Sequence, residues 1–152
     1  MKKTISVMLA VVLCLSLATA VYADNTLTLQ IGNPNFSVDG AEIEIDPGRG
    51  TAPVIRENRT MLPVRAIVEA IGGTVDYSDM GDQQIIHIEY DGTVISLVIG
   101  VPLAFQNGGA VGLDTAPVII NERTFIPVRF VAESFGYSVD WDGETQTVTI
   151  RK

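Results

Sequence analysis

The feature that most constrains the fold is an internal duplication of the chain. Residues 51–77 align without a gap on residues 115–141, and 14 of these 27 positions are identical. The match continues upstream, where Leu29 aligns with Leu97, and downstream, where Ile86 aligns with Val148. The differences in length between the copies fall in Gly- and Asp-containing turns, where insertions are tolerated. The chain therefore consists of two sequence repeats, the first at about 26–90 and the second at about 94–150.

Each repeat is rich in signals for β-hairpins. The pairs Asp39-Gly40 and Asn107-Gly108 occupy equivalent positions and supply the positive φ angles of tight turns. Further hairpins are predicted at 54–62 and 118–126, and at 74–90 and 138–150. Asp91-Gly92 forms another predicted turn, in the short connection between Tyr90 and Val94 that separates the repeats. Because this connection is so short, we expect the two pseudo-equivalent tandem repeats to pack into one body.

Each repeat also contains one predicted helix. Apolar residues recur at the i, i+3, i+4 and i+7 spacing of a helix face after Pro63, and again after Pro127. Proline suits the first turn of a helix, while Gly72 and Gly136 are the expected ends of the two helices. Since strands outnumber helices and each helix must bury its apolar stripe on a sheet, we predict an α+β fold of antiparallel hairpins with one short helix per repeat.

The N-terminal segment, residues 1–23, has the pattern of a secretory signal peptide. A short basic start precedes an uncharged run at 5–21, and Ala23 is the expected last residue before cleavage. Lipidation at Cys14 is one alternative, which the preceding Leu13 disfavours, and an uncleaved anchor is another. We expect residues 24–152 to be secreted, with association with the cell wall as an open alternative.

Beyond residue 23 the chain is strongly acidic. The sequence has 18 acidic and 10 basic residues, a formal charge of −8, and removal of Lys2 and Lys3 with the signal brings this to −10. With Lys152 as the only remaining lysine, a basic surface for nucleic acid or anionic lipid is not expected. No apolar run after residue 23 approaches the roughly 20 residues of a membrane-spanning helix, and no cysteine remains for a disulfide.

Few residues of the chain could support catalysis. Serine or cysteine nucleophiles need a nearby base, and His87 is the only histidine. It lies between two isoleucines of a predicted strand, so the alternation places it on the opposite face as a half-exposed residue. The ligands of a structural zinc site are missing too. We therefore expect a protein that is not an enzyme and has no cofactor, with a secreted hydrolase that uses acidic residues as the alternative.

Acidic residues are predicted to cluster in two equivalent turns. One cluster comprises Asp76, Asp79 and Asp82, and the other comprises Asp140, Asp142 and Glu144. Carboxylates on a loop can hold Ca²⁺, which takes about 6–8 oxygen ligands, but Asp and Gly are also ordinary turn residues. We expect structural turns without a metal, and a calcium site at the second cluster is the alternative.

Four arginines and two aromatic residues occupy equivalent positions in the repeats. They are Arg59, Arg65, Arg123, Arg129, Tyr77 and Trp141. Glu69 and Glu133 each follow an arginine at the i, i+4 spacing, which favours ion pairing on a helix surface, although guanidinium groups also suit the carboxylates or phosphates of a polymer. The aromatic side chains could pack in the core or a hairpin, or stack on a sugar ring. We take all six as candidate binding residues.

The repeated string is similar to that of a known family. In both repeats Pro-Val-Ile is followed by Arg-Thr, then Pro-Val-Arg, then Glu, and finally Val-Asp before an aromatic residue. This string resembles that of the copper amine oxidase N-terminal-like domain, or stalk domain, of secreted and cell-surface bacterial proteins, and the likeness covers residues 27–150. Asn58 and Glu122 stand where that family commonly has the glycine of an Asn-Gly-Arg-Thr turn.

The resemblance implies a non-catalytic accessory module. In the oxidases, copper is held by histidines of a separate catalytic domain, and this chain has a single histidine. We therefore predict a secreted module that binds a cell-wall polymer or a surface protein. Self-association through exposed strand edges, giving a structural module, is a further alternative.

Overall fold

The computed structural model describes residues 25–152, so the predicted signal peptide and Cys14 lie outside the described residues. The elements of the first sequence repeat are β1 (Leu27–Gln30), β2 (Asn35–Val38), β3 (Ala41–Glu44), β4 (Val54–Arg56), β5 (Arg59–Pro63), α1 (Val64–Ala70), β6 (Thr74–Met80) and β7 (Gln83–Tyr90). Those of the second are β8 (Thr93–Val98), β9 (Leu103–Gln106), β10 (Gly109–Gly112), β11 (Val118–Ile120), β12 (Arg123–Pro127), α2 (Val128–Ser134), β13 (Ser138–Asp142) and β14 (Thr147–Arg151).

The strands form antiparallel sheets that each combine strands of both sequence repeats. The β1 sheet has the order β13-β14-β1-β2-β3, and the β8 sheet has the order β10-β9-β8-β7-β6. The central sheet has the order β11-β12-β5-β4. The last hairpin of the chain thus pairs with its first strand, with Leu27 opposite Ile150. The predicted α+β class is confirmed at this level: residues 25–152 are mostly antiparallel sheet with two short helices.

The centre of the fold is the pairing of β5 with β12. Leu62 lies opposite Ile126, the residue at the equivalent position of the other repeat. Pro63 lies opposite Phe125, and Met61 opposite Pro127, so the pairs on the two sides of this point are reciprocal. Each strand leads directly into a helix, and the two helices therefore begin beside each other's preceding strand.

The helices form where the apolar spacing predicts them. Each begins directly after a proline, whose missing N–H is not needed in the first turn. Val64, Ile67 and Val68 of α1 are buried, as the apolar stripe requires. Gly72 follows α1 with a φ of 87°, and Gly136 follows α2 with a φ of 81°, so both helices end at the left-handed conformation that glycine adopts at low cost. Of the described helices, none has the length and apolarity to cross a membrane.

The predicted hairpin turns are confirmed. Asp39 and Gly40 both have positive φ angles, as do Asn107 and Gly108 at the equivalent turn, which matches the twist of the flanking strands. The turns before β5 and β12 have the same backbone without a glycine. Glu122, for example, has a φ of 64°, a conformation that is uncommon for a residue with a side chain of this type.

One connected cluster of buried apolar residues spans the sheets and both helices. Leu27 of the β1 sheet, Leu62 of the central sheet and Ile88 of the β8 sheet belong to it, and so do Val64 of α1 and Val131 of α2. Each buried leucine or isoleucine stabilises the fold by about 1.5–3 kcal/mol relative to an exposed position. The shared core places the helices over the central sheet and fixes the position of the side chains that project from their first turns.

The strands of the outer hairpins extend through positions that the sequence predicts to lie in turns. β6 continues to Met80, so Asp76 and Asp79 lie in a strand and only Asp82 lies in the turn. Asp140 and Asp142 likewise belong to β13. The prediction that each acidic trio clusters in a turn is therefore wrong, because cross-strand pairing carries the strands through these positions. In β6, Asp76 and Asp79 are an odd number of residues apart and lie on opposite faces of the sheet.

Candidate functional site

The six candidate residues lie in two surface grooves, three in each. The first, which we call the Tyr77 groove, contains Arg65, Tyr77 and Arg123 and has a volume of about 630 Å³. The second, the Trp141 groove, contains Arg129, Trp141 and Arg59 and has a volume of about 500 Å³. In both grooves, one arginine and the aromatic residue come from one sequence repeat, and the other arginine comes from the other repeat.

The exchange of arginines between repeats follows from the register of the central sheet. Phe125 lies opposite Pro63, so Arg123, just before Phe125 on β12, lies near the start of α1, which carries Arg65. The reciprocal register brings Arg59 to the start of α2. The grooves are therefore equivalent in construction, because the same pairing generates both.

In the Tyr77 groove, Arg123 is held by a carboxylate. Its Nε donates to Asp46 Oδ2 at 2.6 Å and its Nη2 donates to Asp46 Oδ1 at 3.3 Å, while Thr51 Oγ1 also donates to Asp46 at 2.9 Å. The hydrogen bond from Arg123 lowers the pKa of Asp46, and the same bond raises the pKa of Arg123. The Asp46 side chain is only 19% exposed, so this ion pair is a fixed part of the groove wall.

The remaining side chains of the Tyr77 groove are more exposed. Arg65 Nη1 donates to Glu69 Oε1 at 3.0 Å, one turn further along α1. The Arg65 guanidinium carbon lies 5.7 Å from the centroid of the Tyr77 ring, within the range of a cation–π contact. Tyr77 itself is 46% exposed, so it does not pack in the core.

The Trp141 groove contains equivalent but looser ion pairs. Arg59 Nε donates to Asp114 Oδ2 at 2.9 Å, and the Asp114 side chain is 73% exposed. Arg129 Nη1 donates to Glu133 Oε1 at 3.2 Å and to the Val139 carbonyl oxygen at 3.3 Å. Trp141 is 41% exposed. The ion pairing expected for the arginines is thus present in both grooves, and both aromatic side chains are surface residues.

The acidic residues of the second outer hairpin are engaged by protein groups. Asp142 Oδ1 accepts hydrogen bonds from the backbone N–H groups of Glu144 and Thr145, at 2.9 and 3.4 Å, which lower its pKa. Asp140 pairs with Arg151 at 2.6 Å. Within residues 25–152 no three Cys, His, Asp or Glu side chains are grouped so that they could hold a metal ion. Copper therefore has no fitting set of ligands in this part of the chain, and the calcium alternative stays a prediction.

His87 is the half-buried strand residue that the alternation predicts. Its Nε2 lies 2.8 Å from Ser78 Oγ and its Nδ1 lies 3.1 Å from Ser96 Oγ, so both ring nitrogens meet hydroxyl groups. Among the described residues, no carboxylate hydrogen-bonds to the ring. The row of Ser78, His87 and Ser96 crosses three neighbouring strands of the β8 sheet, and it ties these strands together on one face.

Some of these partners were missed by the reasoning from sequence. Asp46 pairs with an arginine of the second repeat, and Asp114 pairs with one of the first. The two aspartates occupy equivalent positions in the alignment that matches Leu29 with Leu97. This equivalence is the sequence signal that could have identified them.

A cluster at the C-terminus was missed as well. Lys152 Nζ donates to Tyr90 Oη at 2.8 Å, which lowers the pKa of Tyr90, and Tyr90 Oη lies 3.1 Å from Tyr137 Oη. These contacts fasten the end of the chain to the β8 sheet through Tyr90, the last residue of β7.

Fold and grooves together define a β-rich module with two similarly built, ion-paired surface sites. The family model for the copper amine oxidase N-terminal domain matches residues 16–79 and 48–150. The chain therefore belongs to the copper amine oxidase N-terminal domain family, as the resemblance of its repeated string indicates. In the oxidases, this domain is a non-catalytic accessory domain. No curated protein and no solved structure matches the chain significantly.

Proposed function

We propose that the chain is a secreted, non-catalytic binding module that acts at the cell surface and holds a cell-wall polymer or a surface protein in its two grooves. The observation that carries this proposal is the distribution of the six candidate residues into two equivalent sites. Each site offers an exposed aromatic ring, two guanidinium groups and a concave surface, which is the combination that ring stacking and anion recognition require.

The number of sites supports a polymeric ligand. The two sequence repeats are proposed to act as one structural body, because their strands share sheets and their buried residues form one cluster. Two sites on one body can raise the avidity for a repeating ligand by a factor of about 10²–10⁴ without any new contact. A wall polymer, which presents the same unit many times, would benefit from this arrangement.

Export is the second part of the proposal. It is supported by the basic start, the uncharged run and Ala23 in the N-terminal segment 1–23. Expression of the full chain in a bacterial host that exports proteins, followed by intact-mass measurement, tests it. A product that begins at Asp24 is expected, and a product with the complete N-terminal segment that stays with the cells would contradict it.

Binding is tested by sedimentation of the purified protein with isolated bacterial cell walls. We expect retention that falls as salt is raised, because exposed charges are screened over about 10 Å at 0.1 M salt. Replacing both Tyr77 and Trp141 by alanine should reduce retention by about three- to tenfold per groove. Phe105→Ala is the matched control, since Phe105 is an aromatic residue of similar exposure, 39%, on β9.

The outcomes of this experiment separate the proposals. No retention of the wild-type protein would overturn binding to the wall, and retention only with added calcium would favour the acidic cluster at Asp140, Asp142 and Glu144. Release of reducing sugar from the walls would favour the hydrolase, for which Asp79 and Glu122 line the Tyr77 groove, with Glu122 paired to Arg49 at 3.5 Å. A mass in solution that rises with concentration would favour self-association.

A further inference from the structure

We propose that the Trp141 groove is the stronger of the two ligand sites and that its ligand is an anionic saccharide, a sugar unit with a carboxylate or phosphate group. This inference rests on the proposed function, because it assumes that the grooves bind a polymer. It goes beyond the proposed function because it distinguishes the two sites. The duplication gives them equivalent positions, but their charge, free hydrogen-bond donors and ring contacts differ.

The charge of the lining residues differs between the grooves. The Tyr77 groove has two arginines and four carboxylates, namely Asp46, Glu69, Asp79 and Glu122. The Trp141 groove has two arginines and one carboxylate, that of Asp114. The lining therefore has a formal charge of −2 in the first groove and +1 in the second. When the ion-pair partners just outside the lining are added, Arg49 to the first groove and Glu133 to the second, the charges become −1 and 0. In a chain with a charge of −8, the Trp141 groove is thus the less acidic site and repels an anion less.

The arginines on the two helices leave the same donors free, because Arg65, like Arg129, uses only Nη1. The arginines from the strands differ in their free donors. In the Tyr77 groove, Nε, Nη1 and Nη2 of Arg123 all donate to protein oxygens. In the Trp141 groove, Arg59 uses Nε and Nη1, which leaves Nη2 without a protein acceptor among the described residues. Arg129 uses only Nη1 and its side chain is 59% exposed. Free guanidinium N–H groups on both arginines can reach a carboxylate or phosphate of the ligand.

The aromatic rings of the two grooves differ in whether a cation already contacts them. A guanidinium lies over the ring of Tyr77, whereas no cation of the described residues lies over the ring of Trp141. A pyranose ring can therefore stack on the indole without displacing an existing contact. The indole Nε1–H has no protein acceptor within residues 25–152 and can donate to a sugar hydroxyl.

One position in a hairpin turn accounts for part of the charge difference between the grooves. Asn58 lines the Trp141 groove and Glu122 stands at the equivalent position of the Tyr77 groove. Both residues have positive φ angles, 61° and 64°, so the same backbone already accepts either side chain. Exchange of the two residues between the sites therefore changes the charge of a groove with little change in its backbone conformation.

The test uses the fluorescence of Trp141, which is the only tryptophan in the chain and reports on one groove alone. The probes are an oligogalacturonate, with a carboxylate on each sugar, an oligosaccharide with a phosphate group on its sugars, and the neutral oligosaccharide maltohexaose. We expect a saturable change with an anionic probe, weakened by salt, and at least tenfold weaker binding of maltohexaose. The carboxylate and phosphate arms decide which anion the site takes.

Variants at the turn give the decisive comparison. Asn58→Glu should raise the dissociation constant of the anionic probe about tenfold, because it adds a negative charge next to the ligand. Asn58→Gln, which adds similar bulk without charge, should leave the constant within about twofold of wild type, and Glu122→Asn should leave the Trp141 signal unchanged. Unchanged unfolding midpoints show that each variant is folded.

Three results would overturn the inference. They are an equal or stronger response to maltohexaose, an equal effect of the Glu and Gln variants of Asn58, and a Trp141 signal that no probe changes. If any of these occurs while the wild-type protein still sediments with cell walls, the inference fails and the proposed function stands. If the walls do not retain the protein, the binding of a wall polymer that this inference assumes fails.

Discussion

Truncation of Leu97 is the sharpest test of whether the three sheets unfold as one cooperative unit. Leu97 lies on β8 between Ile86 and Ala104 of the neighbouring strands and is fully buried. Leu→Ala in a packed core removes about 0.8 kcal/mol per buried methylene and adds a cavity term, for a total of about 3 kcal/mol. The reporter is Trp141 on β13, in a different sheet.

Guanidinium unfolding followed by Trp141 fluorescence and by far-UV circular dichroism gives the result. With a slope of about 4 kcal/mol/M, a loss of about 3 kcal/mol moves the midpoint down by roughly 0.8 M. We expect the same shift with both probes, because the buried residues of the sheets belong to one cluster. Val94→Ala, at an exposed position of the same strand, should shift the midpoint by less than about 0.1 M. A Trp141 transition that stays at the wild-type midpoint would refute the single core.

The remaining predictions concern one ion pair and one glycine. Since Arg123 lowers the pKa of Asp46 in the folded protein, their pairing stabilises the fold above the ordinary carboxyl pKa of about 3.9 and loses this effect as the pH falls through the lower folded value. The unfolding temperature of Arg123→Ala should therefore fall less steeply than that of the wild-type protein below about pH 4. Equally steep falls in the two proteins would contradict this. Gly73→Ala should cost about 2 kcal/mol, because a Cβ would lie 2.9 Å from the Glu89 carbonyl oxygen. Gly112→Ala, with open space around its position, is the control, and equal unfolding midpoints for the two variants would refute the steric argument.

The elements of the fold could be predicted from sequence because their causes are local. The stripe after Pro63 requires only the helical period, and the Asp39-Gly40 turn requires only residues that accept positive φ. The pairing of β14 with β1 has no local signal, since it joins strands that lie far apart in the sequence, with Leu27 opposite Ile150. Extension of β6 to Met80 is set by its partner strand β7, which overrides the turn preference of the aspartates.

The difference between local and long-range causes also explains what could be predicted of the candidate site. Equivalence of position identified Arg59 and Arg123 as residues of interest, but it gave no indication that each belongs to the groove of the other repeat. That assignment depends on the register of β5 and β12, which is a tertiary property. The net charge of the Tyr77 groove depends in part on Asp79 and Glu122, which reach this groove from different sequence repeats.

We expect the two sequence repeats to depend on each other for folding, because their strands share sheets and their arginines lie in shared grooves. Without β12, the Tyr77 groove has no Arg123, and without β14, the first strand β1 loses one of its two partners. An isolated repeat would also expose the apolar face that Leu62 and its opposite Ile126 bury together. We therefore expect each groove to form only when both repeats are folded, although each has its own lining residues. A substitution such as Asn58→Glu can therefore change the charge of one site while the shared core that holds both sites stays the same.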